Sequence, residues 1–218
     1  MLSIFKEHIG FWTKERKKSL YTGILFLLVA MTVQLFAGSY SGKRATDFNF
    51  VGDVFLDNIP MLNLTFIVVE GGLLFILIGF ILLVLKPRYL LFALKAVSFF
   101  IITRSFFVSL THLGIYPNEI VFGTGIIDRL YTLLNLQDGF FFSGHTGMAF
   151  LAALIFWQEK LWRYVFLAVS LIFAITVLLA HVHYSIDVFA APFMTYAIFK
   201  LAELELFKKD YAILREQG

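Results

Sequence analysis

Apolar residues in this chain fall in long uncharged blocks separated by short, mostly basic ones. Ser19 to Ser41 passes 23 residues without a charge, and a block at 62–85 contains LLFILIGFILLVL and stops before Lys86-Pro87-Arg88. A helix needs about 20 residues to cross the hydrocarbon of a bilayer. Six blocks satisfy this, at about 20–40, 62–85, 89–113, 140–158, 161–182 and 184–202, with the fourth and sixth short or polar at one end. The stretch 115–139 carries Pro117, Asn118, Glu119, Asp128, Arg129 and Asp138. It reads as an interfacial helix at about 121–135 rather than a seventh span.

Composition agrees with the blocks. Of 218 residues 60% are hydrophobic and 15% charged, and the mean hydropathy is +0.84. A soluble domain cannot hide that much apolar surface, so the pattern predicts an all-α integral membrane protein, one domain over 1–218. There is no cysteine, which excludes a disulfide, a thiolate nucleophile and a Cys-ligated metal. Lys14, Arg16, Lys17 and Lys18 before an apolar run, with Ala37-Gly38-Ser39 after it, imitate a secretion signal. The uncharged run is too long for a signal core, and it reads as a retained helix.

Lysine and arginine then orient the spans. Lys6, Lys14, Arg16, Lys17 and Lys18 precede the first span; Lys86 and Arg88 lie between two and three, Lys160 and Arg163 between four and five, and Lys208, Lys209 and Arg215 follow the last. The intervening loops hold Lys43, Arg44 and Arg129. By the positive-inside rule both termini are cytoplasmic.

That orientation sends Arg104, His145, His183 and Asp187 to the outer leaflet, with Glu70 and the following Gly71-Gly72. Ionisable groups in a membrane are expensive and suggest function by default. Their heights do not agree: at 1.5 Å per residue, His145 stands about 20 Å and His183 about 34 Å above the turn between spans four and five. Lys95, near the inner interface, reads as a snorkelling anchor.

His183 and Asp187 are four apart, so a helical start puts them on one face. The carboxylate can hold one ring nitrogen and leave the other free to attack or take a proton. Ser143-Gly144 ahead of His145 resembles a helix N-terminus, whose free N–H groups hold phosphate oxygens. Arg104 can add a bidentate clamp. The set suits phosphoryl transfer. Plainer readings stand beside it: a structural His–Asp bond, an interfacial histidine, a snorkelling arginine, a glutamate paired to offset its burial, packing roles for His112 and His181, or a metal held by histidines and Asp187.

FSGHT at 142–146 with HYSIDV at 183–188 resembles the sphingomyelin synthase and inositol phosphorylceramide synthase branch of the type 2 phosphatidic acid phosphatase (PAP2) superfamily. DVFLDNIP at 53–60 and RSFFVSLTHLG at 104–114 are similar to two further motifs of that branch. The resemblance implies a six-helix PAP2-like bundle with an outward-facing site. It implies catalytic roles for His145, His183 and Asp187: His183 attacks phosphorus, Asp187 orients it, and His145 protonates the leaving lipid alcohol. Arg104 would bind phosphate, with Ser143, Gly144, Asp138, Glu70 and Tyr184 as further substrate-binding candidates. The phosphatase branch carries a proline and an arginine where this chain has Phe142 and Val177. The synthase branch has Gly-Asp where this chain has Asp138-Gly139, and prolines where it has Val51-Gly52 and Gly114.

The expected activity is therefore transfer of a phospho-headgroup from a glycerophospholipid to a lipid alcohol, ceramide or diacylglycerol, in the manner of a compact bacterial relative in the inner membrane. The alternatives are a lipid phosphatase or phospholipase C-like hydrolase using water at the same centre, and a non-enzymatic lipid-binding protein. Expected partners are the phospholipid donor, the acceptor and the bilayer. No motif implies a metal or organic cofactor, and none points to nucleic acid.

Overall fold

The computed structural model describes residues 10–45, 47–110, 113–117 and 141–216. Its main helices are α1 (Lys14–Ala45), α2 (Thr65–Leu85), α3 (Pro87–Leu110), α4 (Gly144–Ile155), α5 (Lys160–Leu179) and α6 (Ser185–Leu201). A π-helical turn over Ala202–Leu206 leads into α7 (Lys208–Arg215). The described residues are otherwise turns and loops, so the fold is an all-helical bundle. Five helices are long and apolar enough to cross a membrane, counting α6 with its π-helical extension, and α4 is a shorter apolar one. The expected fourth span of 140–158 thus shrinks. Ser143 caps α4 by accepting from Thr146 N–H, and the helix gives way at Phe156, leaving 12 residues, or about 18 Å. The interfacial helix expected at 121–135 lies outside the described residues.

The bundle is organised as lipid demands, with large apolar side chains outward and small ones at helix contacts. On α1 the buried positions include Gly23, Ala30, Ala37, Gly38, Ser41 and Ala45, while Leu25, Leu28 and Phe36 are exposed. Its small face lies along α3, where a methyl at Gly23 would come within 3.2 Å of Leu94 Cβ. The buried Gln34 accepts from Ser105 Oγ at 3.0 Å. Helix α3 is central, and its Phe92 and Phe100 join Phe142, Leu151, Phe166 and Phe199 in the main core.

Polar contacts sort the connections into two ends. Glu159, before α5, accepts from Lys86 Nζ at 2.5 Å and from Arg88 at 3.2 Å, placing the α2–α3 and α4–α5 connections together. Burial alone would raise the Glu159 carboxyl, but Lys86 and Arg88 hold it below its ordinary value. At the same end Lys95 donates to Asp210 Oδ2 at 2.6 Å and to Ser19 Oγ at 2.8 Å. Lys95 is therefore not a snorkelling anchor. It turns into the bundle and binds α7, because a nearly buried carboxylate and a hydroxyl satisfy its charge there. The start of α1 and the end of α7 share this basic end, where Arg16 donates to Glu216 at 2.9 Å.

Candidate active site

The opposite end collects the loop before α2, the start of α4 and the turn between α5 and α6. That turn begins where α5 finishes: His181 N–H donates to Leu178 O and Val182 N–H to Val177 O, with His181 in the left-handed region at φ 54°. The chain reverses there, and α6 descends from Ser185. Asp187, in its first turn, is fully buried. Its Oδ2 accepts from Tyr184 N–H at 3.2 Å and from His183 Nδ1 at 3.4 Å. A carboxylate can only accept, so the His183 proton sits on Nδ1 and Nε2 keeps the free lone pair.

FSGHT is joined directly to this turn. Ser143 N–H donates to the backbone carbonyl of Asp187 at 3.0 Å. That bond removes the height difference expected from counting residues up straight helices. Helix α5 overshoots, and α6 comes back down to the start of α4. His145, the second residue of α4, lies within electrostatic reach of both His183 and Arg104. Its Nε2 stands 3.2 Å from the Val68 carbonyl, and its ring packs edge-on to Phe173. A carbonyl also only accepts, so Nε2 carries the proton in this resting arrangement.

Arg104 is buried on α3 and donates its Nε–H to Phe142 O at 2.8 Å. The guanidinium lies against the first residue of α4, where a Cβ on Gly144 would sit 3.3 Å from Nε and 3.6 Å from Cζ. Glycine at 144 is what lets the cation rest beside the helix N-terminus, a place where cation and free N–H groups together favour an anion.

Not every expected residue converges. Glu70 is half-buried on α2 and forms no ion pair with Arg104 or Lys43 among the described residues. Val68 and Gly72, one turn apart, face His145, and Glu70 midway between them points to the other side of the helix. The Tyr184 hydroxyl, expected to meet substrate, instead donates to Gly114 O at 2.8 Å and accepts from Val51 N–H at 3.3 Å, in a residue 2% exposed. It fastens the outer loops to α6. Asp138 lies outside the described residues. His181 packs edge-on to Tyr116. The Tyr116 hydroxyl donates to Asp57, which raises the phenol to about 12. No group of three or more His, Asp or Glu side chains among the described residues could hold a metal ion.

Two contributors carried no assignment from sequence. The Val68 carbonyl could not have been found, since every residue has one. Asp53 lies in a stretch already singled out, DVFLDNIP, and accepts from Ser185 N–H at 2.7 Å. Burial alone would raise its carboxyl, but donation from Ser185, Leu56 and Phe55 outweighs this and holds it below the ordinary value.

The arrangement is that of a helical membrane protein with a His–Asp pair and an arginine gathered at a helix N-terminus. Residues 139–204, which carry both histidine motifs, match the family described as PAP2 superfamily C-terminal. The match supports membership of the PAP2 superfamily, a superfamily of lipid phosphatases and phosphotransferases. No curated protein matches the chain.

Proposed function

We propose that the protein is a membrane phosphotransferase that moves a phospho-headgroup from a glycerophospholipid to a lipid alcohol, ceramide or diacylglycerol, as in the sphingomyelin synthase-like branch. The observation that carries the reading is the backbone bond from Ser143 to Asp187. It brings a nucleophile with a fixed tautomer, a helix N-terminus and Arg104 to one place. In the reaction, His183 Nε2 attacks phosphorus and the bond to the diacylglycerol oxygen breaks. His145, entering the step as the imidazolium, gives one proton to that oxygen and is left neutral. Arg104 and the first N–H groups of α4 hold the phosphoryl oxygens. The acceptor hydroxyl then passes its proton to His145 and attacks phosphorus, and the P–N bond breaks, regenerating both histidines. The basic ends of the helices support a centre on the non-cytoplasmic face by the positive-inside rule.

A hydrolytic reading shares every step except the last, with water as acceptor. The superfamily match favours it as the second choice, since that superfamily takes its name from a phosphatase. The test is purified protein in micelles with headgroup-labelled phospholipid, with and without ceramide or diacylglycerol. Label appearing in a new lipid only when acceptor is added supports transfer. Acceptor-independent release of the headgroup selects hydrolysis, and absence of both products together with absence of an acid-labile phosphoenzyme rejects both.

A further inference from the structure

The start of α6 carries two demands on neighbouring carboxylates. The first N–H groups of a helix have no partner within it, and here Tyr184 and Asp187 at that end are buried. Asp187, third residue of α6, is placed where an acidic side chain ordinarily folds back to cap its own helix. Its Oδ2 does this here, accepting from Tyr184 N–H at 3.2 Å, and also takes His183 Nδ1 at 3.4 Å, while Oδ1 has no hydrogen-bond partner. A further backbone donor left unserved beside it would draw that carboxylate away from the ring.

Asp53, from the loop before α2, takes that donor. Its Oδ2 accepts from Ser185 N–H at 2.7 Å. Its Oδ1 accepts from Phe55 N–H at 2.9 Å and Leu56 N–H at 3.1 Å, and its own N–H donates to Asp57 Oδ2 at 3.1 Å. The residue is 7% exposed, and Val51 is tied to Tyr184 two residues earlier. The carboxylate is thus fixed by its own loop and offered to α6 from outside. We propose that Asp53 is a positioning residue for the His183–Asp187 pair: by capping Ser185 it keeps that donor from pulling the Asp187 carboxylate off the His183 ring. In Asp53→Asn the amide oxygen can serve Phe55 and Leu56 while its NH2 faces Ser185 N–H. Ser185 then turns to Asp187, and His183 loses its partner.

A second substitution separates this role from mere support of the loop. Proline has no N–H and suits the first position of a helix, and Tyr184 before it has φ −62° and ψ 153°, the extended geometry that a following proline requires. Ser185→Pro therefore removes the donor that Asp53 serves. The experiment uses full-length protein in micelles, 15N-histidine NMR with the His183 signals assigned by a His183→Gln control, and steady-state transfer kinetics. Wild type and Ser185→Pro should show His183 protonated on Nδ1. Asp53→Asn should show mixed tautomers and roughly tenfold to hundredfold lower kcat, the usual cost of losing such an outer partner, with KM within about threefold. The double variant Asp53→Asn/Ser185→Pro should recover the single tautomer and most of kcat. An unchanged tautomer in Asp53→Asn, or a disturbed one that Ser185→Pro fails to restore, overturns the proposal. The kinetic part rests on the phosphotransfer reading, but the tautomer does not: a wild type that shows the NMR pattern and no turnover rejects that reading and leaves the positioning role standing.

Discussion

Replacing Asp187 by asparagine takes one charge out of the centre and leaves the volume unchanged. As phosphorus bonds to His183 Nε2, the ring that retains its Nδ1 proton becomes positive, and Asp187 Oδ2 lies 3.4 Å from Nδ1. With an effective dielectric near 20, a full charge at that distance is worth about 5 kcal/mol, so half-developed charge is worth about 2.5 kcal/mol. At 1.36 kcal/mol per tenfold this alone slows the reaction about 60-fold. An amide turned with its NH2 toward the ring also selects the wrong tautomer, a defect that costs about 10⁴ in the serine protease triad. The expected loss in kcat is therefore between about 10² and 10⁴. With the amide oxygen in the place of Oδ2 the fold should tolerate the change and the loss should lie near the lower bound, because Tyr184 N–H keeps its acceptor and the NH2 replaces an oxygen that already lacks a partner. Turned the other way, the NH2 faces Tyr184 N–H as well as the ring, and the loss approaches the upper bound. Labelled-headgroup transfer in micelles, read beside a thermal melt and a phosphoenzyme trap, checks both parts. A kcat within threefold of wild type in a folded Asp187→Asn protein would refute the charge and tautomer reasoning.

Gly147→Ala gains about 1 kcal/mol of helix propensity, but its methyl would lie 2.8 Å from Thr195 Oγ1 and 2.9 Å from Phe100 Cζ, both buried. Overpacking of that kind costs about 1–3 kcal/mol, so a melt in detergent should show net destabilisation. Arg104→Lys keeps the charge and loses the planar guanidinium whose Nε–H donates to Phe142 O beside Gly144; transfer kcat/KM should fall about tenfold to hundredfold, as one misplaced phosphate contact implies. Acid should loosen both ends of the bundle. Asp53 and Glu159 have folded values below their ordinary 3.8 and 4.5. Their stabilisation is complete above those ordinary values and is lost as pH falls through the lowered ones, so the melting temperature should hold to about pH 4.5 and drop below it. Asp53→Asn/Glu159→Gln should flatten that drop.

Much of the site was legible because its residue types are costly where they stand. A histidine, an aspartate or an arginine in an apolar block advertises itself, and a four-residue spacing fixes a shared face wherever a helix starts. The same rule misjudged Lys95 and Glu70. For Lys95 the partner, Asp210, is 115 positions away. For Glu70 the decisive fact is which side of α2 faces α4, and two residues of helical rotation separate it from Val68 and Gly72.

By itself the sequence determined that the chain is a set of apolar helices, since backbone polar groups in lipid must be satisfied within each segment. It also determined which end of each helix carries the candidate site residues. Only the tertiary structure decided that the two histidine motifs meet at one height, that His145 rests on a backbone carbonyl and that Asp53 caps α6. The physical reason is that periodicity and capping act within a few residues, whereas the axial offset between helices is set by their packing. The close contacts at Gly23, Gly144 and Gly147 fix that offset, and no local pattern records it.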